Sequence, residues 1–75
     1  MSELTFGQRA VGLRFNPSND DTVALLKQEF ANCIDSCNLI RQTTDDPEVK
    51  RMASIAITEA QTAQMWAVKA ATWNK

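Results

Sequence analysis

The chain has 75 residues, nine acidic and eight basic, no histidine and a formal net charge of −1. A chain of this length forms one domain with a small core, which usually needs a staple or a partner for stability. The near-neutral charge argues against binding to a nucleic acid polymer, and no apolar run is long enough to span a bilayer.

The two cysteines, Cys33 and Cys37, are one helical turn apart. Without a second cysteine pair or any histidine, four metal ligands cannot be assembled, so we expect neither a metal nor another cofactor. Because no signal peptide is visible, we expect an intracellular protein whose two thiols are reduced and buried as small apolar residues.

Residues 1–17 form an N-terminal arm in our interpretation. Their apolar residues follow neither a helical nor a strand period, and Gly7 and Gly12 weaken both. The apolar content argues against disorder. We therefore expect the arm to pack on the rest of the protein, with a short helical turn at residues 6–11.

The first long helix is predicted at about residues 20–42. Pro17 holds Asn16 in an extended conformation, and Ser18, Asn19 and Asp20 are candidate N-caps. The apolar residues that follow recur every three or four positions, which is typical of a helix that pairs along one face. They are Val23, Leu26, Phe30, Cys33, Cys37 and Ile40.

The second long helix is predicted at about residues 47–73. Asp46 is a suitable N-cap, Pro47 suits the first helical position, and Glu48 complements the helix dipole. Counting alternately by four and three gives a seam that we expect to pack against the first helix. It consists of Val49, Ala53, Ala56, Ala60, Ala63, Ala67 and Ala70.

Only residues 43–45 separate the two helices, so they must run antiparallel. The predicted fold is all-α: an antiparallel helical hairpin at residues 18–75 with a short N-terminal arm at residues 1–17, in one domain. The second helix adds further apolar residues that a single hairpin would leave uncovered, namely Met52, Ile55, Ile57, Met65, Trp66, Val68 and Trp73. We expect a homo-oligomer to cover them.

No catalytic set is visible in the sequence, so we expect no enzyme activity. Arg51 is in the first turn of a helix, where a cation opposes the dipole unless an anionic ligand or a carboxylate compensates it. Asp45, Asp46 and Glu48 are the nearby carboxylates. Phe15 has two open interpretations: it stacks on a nucleobase, or it plugs the hairpin core.

The second helix carries the pattern Arg51-x-x-Ser54-x-Ala56-x-Thr58-x-x-Gln61-x-x-x-Met65-Trp66-x-Val68-Lys69-Ala70, and the arm carries residues 11–18, VGLRFNPS. Both segments resemble the hairpin domain of phage anti-CBASS and anti-Thoeris nucleotide sponges. The similarity covers most of the chain.

This resemblance implies a non-catalytic homo-oligomer, often a hexamer, in the cytoplasm of the infected bacterial host. Members sequester cyclic oligonucleotide or cyclic ADP-ribose-type second messengers and thereby prevent activation of anti-phage effectors. The implied roles are base stacking for Phe15, phosphate binding for Lys27, and a second pocket for cyclic trinucleotides at Arg51. Asn16, Ser18 and Thr58 are further candidate donors to the ligand.

There are two alternatives to a nucleotide sponge. A purely structural hairpin that assembles or docks on another protein would also form long helices and oligomers. A small DNA-binding regulator is disfavoured by the net charge. Binding of cyclic nucleotides separates the sponge from the structural hairpin.

Overall fold

Three helices follow one another in the computed structural model, which describes residues 3–17 and 19–74. They are α1 (Phe6–Ala10), α2 (Asp21–Thr43) and α3 (Pro47–Ala71). Helices α2 and α3 form the hairpin and α1 packs on α2, while the described residues contain no strand. The all-α helical hairpin is therefore confirmed.

The helix starts agree with the sequence analysis. The Asp20 side chain accepts a hydrogen bond from the Thr22 amide at 2.8 Å, and that of Asp46 accepts one from the Glu48 amide at 2.9 Å. Pro47 occupies the start of α3. These contacts satisfy amides that have no partner within their own helix.

The helix ends differ slightly from the expected positions. Helix α2 continues one residue further, to Thr43, and α3 ends at Ala71 instead of residue 73. The Thr72 hydroxyl donates to the Val68 carbonyl at 2.8 Å, and the Thr72 backbone leaves the helical conformation. Trp73 consequently lies in the turn that follows α3.

The arm is held on α2 by a close backbone contact at Gly7. Its amide donates to Oδ1 of Asp35 at 2.6 Å, and a Cβ at this position would lie 2.1 Å from the Ala31 carbonyl oxygen. Only glycine permits this approach without moving the backbone. The side chain of Thr5 and that of Gln8 cap α1 reciprocally.

The core lies where α1, α2 and α3 meet. It contains Val11, Ala31, Ile34 and Ile57, against which the partly buried Phe6, Ala10, Leu13, Phe30, Cys37 and Ala60 pack. Gln61 on α3 also donates to the Ala10 carbonyl at 3.0 Å, which ties the end of α1 to α3.

The predicted alanine seam is correct at only some positions. Ala53 is buried and Ala60 and Ala67 are half-buried, but Ala56, Ala63 and Ala70 are exposed. The inward face of α3 instead follows Ala53, Ile57, Ala60, Gln64, Ala67 and Ala71. Burying Ile57 removes more apolar area from water than burying Ala56, so the helix turns its isoleucine towards α2.

The inward face of α2 also differs from the prediction. Val23, Lys27, Ala31 and Ile34 are buried, whereas Cys33 and Ile40 are exposed. The interpretation of Cys33 as a buried apolar residue is therefore wrong for the single chain. Helix α1 covers Ala31 through Gly7, and this contact turns the neighbouring face of α2, with Cys33, towards the outside.

Several large apolar side chains are exposed on the hairpin. They are Phe15, Leu25, Leu39, Ile40, Met52, Ile55, Met65, Trp66 and Trp73. Five of them, Met52, Ile55, Met65, Trp66 and Trp73, belong to the set that we expected a single hairpin to leave uncovered, whereas Ile57 of that set is buried. Within residues 3–17 and 19–74, none of the helices combines the length and the apolar character that a bilayer crossing requires.

Candidate functional site

Two adjoining cavities lie where the arm passes between the start of α2 and the end of α3. The first, of about 200 Å³, is lined by Phe15, Asn16, Pro17, Val23, Lys27, Val68 and Thr72. The second, of about 510 Å³, is lined by Arg9, Ala10, Val11, Gly12, Phe15, Lys27, Gln64, Met65 and Val68. Phe15, Lys27 and Val68 line both and so form the boundary between them.

Lys27 is a cation on the inward face of α2. Only 4 % of it is exposed, and its Nζ donates to the Gly12 carbonyl at 3.0 Å and to the Phe15 carbonyl. Burial lowers the pKa of Lys27 from its ordinary value. An ammonium group has three donors, so one N–H is left for a ligand.

No carboxylate forms an ion pair with Lys27 within residues 3–17 and 19–74. The groups that face its positive charge there are the two backbone carbonyls and the ring of Phe15, all of them without a formal charge. A buried cation of this kind favours a nearby anion, because water screens the attraction less at a buried position. The arrangement suits a phosphate group at the boundary between the cavities.

Phe15 lies at the rim of the cavities with 73 % of its surface exposed, and its ring centroid is 5.4 Å from Lys27 Nζ. The interpretation of Phe15 as a plug of the hairpin core is therefore wrong. Gly12 has φ of 62° and its carbonyl accepts from the Phe15 amide at 2.9 Å, which turns the arm outwards here. Val11 and Val23 fill the interior instead.

Asn16 shapes the first cavity through its contacts with the start of α2. Its Nδ2 donates to the Asp20 carbonyl at 3.1 Å, and its Oδ1 accepts from the Asp20 amide at 3.4 Å. These bonds hold the half-buried Asn16 beside Phe15 and Pro17 in the cavity lining.

Arg51 and Thr58 lie outside both cavities. Arg51 is exposed, and its Nε donates to Oε2 of Glu48 at 2.9 Å. The hydrogen bond raises the pKa of Arg51 and lowers the pKa of Glu48. Glu48 is thus the carboxylate that compensates Arg51, one of the alternatives expected from the sequence. Thr58 is exposed and donates to the Ser54 carbonyl at 3.3 Å.

The structure therefore brings together Phe15, Asn16 and Lys27, and separates them from Arg51 and Thr58. Ser18, the remaining predicted site residue, lies outside the described residues.

Comparison with protein families adds a separate observation. The model of the Acb2/Tad1 hairpin domain matches residues 8–72. The chain belongs to this family. It is the family of phage anti-CBASS and anti-Thoeris cyclic-nucleotide sponges, so sequestration of cyclic nucleotides is its function at the family level. No curated protein and no solved structure matches the chain.

The match to the Acb2/Tad1 hairpin domain includes every residue that lines the two cavities. Several of these residues were not identified from the sequence, notably Arg9, Gln64, Val68 and Thr72. Val68 lies one turn before the C-cap residue Thr72, whose hydroxyl donates to the Val68 carbonyl, but the proximity of both residues to Phe15 depends on the path of the arm. The sequence does contain a sign that Gln64 is a site residue, because it is a polar residue on the otherwise apolar inward face of α3.

Proposed function

We propose that this hairpin binds cyclic di- and trinucleotide immune messengers without cleaving them and thereby prevents activation of bacterial anti-phage effectors. Cyclic ADP-ribose isomers are a second ligand class that fits the proposal, and the cytoplasm of the infected bacterium is where it acts. The observation that carries it is an exposed aromatic ring, Phe15, above the buried ammonium group of Lys27.

The proposed contacts follow from the chemistry of the ligand. A nucleobase stacks on the outer face of Phe15, and a phosphate oxygen accepts the remaining N–H of Lys27. Base stacking on an aromatic side chain contributes about 1 to 3 kcal/mol. Asn16 supports the arm under the base, and Ser18 supplies a hydroxyl donor.

The cavity linings favour binding over hydrolysis. They contain no carboxylate, thiol or imidazole among the described residues, and their cations are Arg9 and Lys27. Hydrolysis of a phosphodiester needs a base that activates water, or a metal ion. Since Lys27 already donates to two carbonyls, it is placed to hold a phosphate and not to accept a proton.

Self-association is the second part of the proposal, with a hexamer as the expected assembly. Trp66 is 66 % exposed and Trp73 is 71 % exposed, and single soluble chains rarely leave so many large apolar groups uncovered. Sedimentation of the purified protein should show one oligomer, and Trp66→Lys should shift it towards smaller species. A wild-type chain that sediments as a monomer would contradict this part.

Arg51 defines a second proposed pocket, for cyclic trinucleotides, near a symmetry axis of the oligomer. Thr58 follows Arg51 by seven residues, so both lie on the same side of α3 about 10 Å apart. The anionic ligand would replace Glu48 as the partner of Arg51. This pocket is independent of the cavities beside Phe15.

Calorimetry with a panel of cyclic dinucleotides, cyclic trinucleotides and cyclic ADP-ribose isomers tests the proposed function. We expect at least one ligand to bind with nanomolar affinity, about −12 kcal/mol, and to be recovered intact by chromatography. A ligand recovered in hydrolysed form would contradict a sponge. If no member of the panel binds, a structural hairpin without a ligand becomes the better account of the exposed apolar residues.

A further inference from the structure

Gln64 is a buried polar residue on the inward face of α3. Only 6 % of it is exposed, and it lies on the seam between Ala60 and Ala67. It also lines the second cavity, together with Arg9 and Lys27. A glutamine at such a position either has a hydrogen-bond partner or faces open space.

The amide of Gln64 makes no hydrogen bond to any of residues 3–17 and 19–74. None of the side-chain polar atoms described in this part of the chain is fully buried without a partner. The amide oxygen and nitrogen of Gln64 must therefore reach the open space that the residue lines. An apolar side chain of similar length would fill the same position without leaving an amide unpaired.

Gln61, one turn earlier on α3, provides a contrast. Its Nε2 donates to the Ala10 carbonyl at 3.0 Å, so this amide connects α3 to the end of α1 and does not line either cavity. The two glutamines thus have different surroundings: one amide is used within the chain, and the other faces the cavity.

We propose that Gln64 hydrogen-bonds the edge of an adenine base and gives the site a preference for adenine-containing cyclic dinucleotides; this inference rests on the proposed function. The amide oxygen accepts from the adenine N6 amino group while the amide nitrogen donates to N7. Guanine presents two acceptors, O6 and N7, at the same edge, so the amide oxygen would face another acceptor.

The position of Gln64 relative to Phe15 suits one ligand with two bases. Phe15 and Lys27 line both cavities, so a cyclic dinucleotide whose phosphate meets Lys27 can extend into each. One base stacks on Phe15 and the other meets Gln64. Arg9 lines the second cavity together with Gln64. Its Nη1 donates to the Leu4 carbonyl at 2.9 Å, and its other N–H groups can donate to the second phosphate of the ligand.

The test compares cyclic di-AMP with cyclic di-GMP by calorimetry on the full chain and two variants. The wild type should bind cyclic di-AMP about tenfold more tightly, and Gln64→Met should remove that preference by weakening cyclic di-AMP binding about tenfold. Gln61→Met is the matched control: it removes the same amide from the same helix and should keep the wild-type preference.

A second measurement uses the wild type alone, in case Gln64→Met alters folding. Cyclic di-AMP should shift the side-chain amide resonances of Gln64 in a nitrogen-15 correlation spectrum and slow their exchange with water. The inference is overturned if those resonances do not respond, if Gln64→Met keeps the preference, or if the wild type prefers cyclic di-GMP. If the wild type binds neither ligand, this inference is overturned, whereas the proposed function fails only if no member of the wider ligand panel binds.

Discussion

Replacing Phe15 by alanine should separate ligand binding from folding. The ring is 73 % exposed, so only about a quarter of it contributes to apolar burial. Complete burial of a phenylalanine side chain contributes about 1.5 to 3 kcal/mol, so the lost burial costs less than about 1 kcal/mol. Loss of the contact with Lys27 adds about 0.5 to 1 kcal/mol.

The effect on binding should be larger. A base stacked on the ring contributes about 1 to 3 kcal/mol, so Phe15→Ala should raise the dissociation constant by about 5- to 150-fold. Calorimetry with the best ligand of the panel measures this change, and urea denaturation of the same samples measures the free energy of unfolding.

Two further variants at this position identify the interaction that is lost. Phe15→Trp keeps an aromatic face and should bind within a few-fold of the wild type, whereas Phe15→Leu keeps apolar volume without that face and should behave like alanine. Wild-type affinity in Phe15→Ala would refute the stacking role. Loss of folding in Phe15→Ala would instead restore a core role for the ring.

Three other predictions concern the arm, the buried lysine and the second pocket. Gly7→Ala should destabilise the fold by about 1 to 3 kcal/mol, because the new Cβ would collide with the Ala31 carbonyl oxygen; an unchanged urea midpoint would contradict the close contact. For Lys27, the lowered pKa means that the unfolded chain binds more protons between that lowered pKa and the ordinary 10.5. Below this pH window the folded protein bears the full desolvation penalty of the buried ammonium. The penalty disappears as Lys27 loses its proton with rising pH, so the free energy of unfolding of the wild type should increase relative to that of Lys27→Met up to about pH 10.5. A pH-independent difference in the free energy of unfolding between these two proteins would contradict the assignment. Arg51→Glu should abolish cyclic trinucleotide binding while leaving the oligomer and cyclic dinucleotide binding intact, as checked by sedimentation and calorimetry; loss of both ligands would contradict two separate pockets.

The helices and their starts were predictable because their signals are local. Asp46 and Pro47 begin α3 through contacts within one turn, and Asp20 does the same for α2. The short connection then leaves an antiparallel hairpin as the arrangement that buries both apolar faces.

The rotation of each helix was harder to predict. From Ala53, a step of three reaches Ala56 and a step of four reaches Ile57, and either step is compatible with a helical seam. Which of the two residues faces α2 depends on the side chains of α2 at that height. Ala31 and Ile34 on α2 receive Ile57, which moves the seam by one residue at every second position. The periodicity of the sequence therefore specifies the inward face of a helix to within one residue, and packing against the partner helix determines which residue is buried.

The candidate site was only partly predictable for a related reason. Phe15, Asn16 and Lys27 come from neighbouring segments at the start of the hairpin, so their proximity follows from the local sequence. Gln64 and Val68 join them from the far end of the chain, because α3 returns to the start of α2. Pairing of Arg51 with Glu48 was predictable, since three residues along a helix bring two side chains together.

A crystal structure of the protein with a bound cyclic dinucleotide tests the central claim most directly. The account predicts an intact ligand with one base stacked on Phe15 and a phosphate oxygen about 3 Å from Lys27 Nζ. A ligand bound elsewhere, for example against the exposed Trp66 and Trp73, with the cavities beside Phe15 empty, would contradict it.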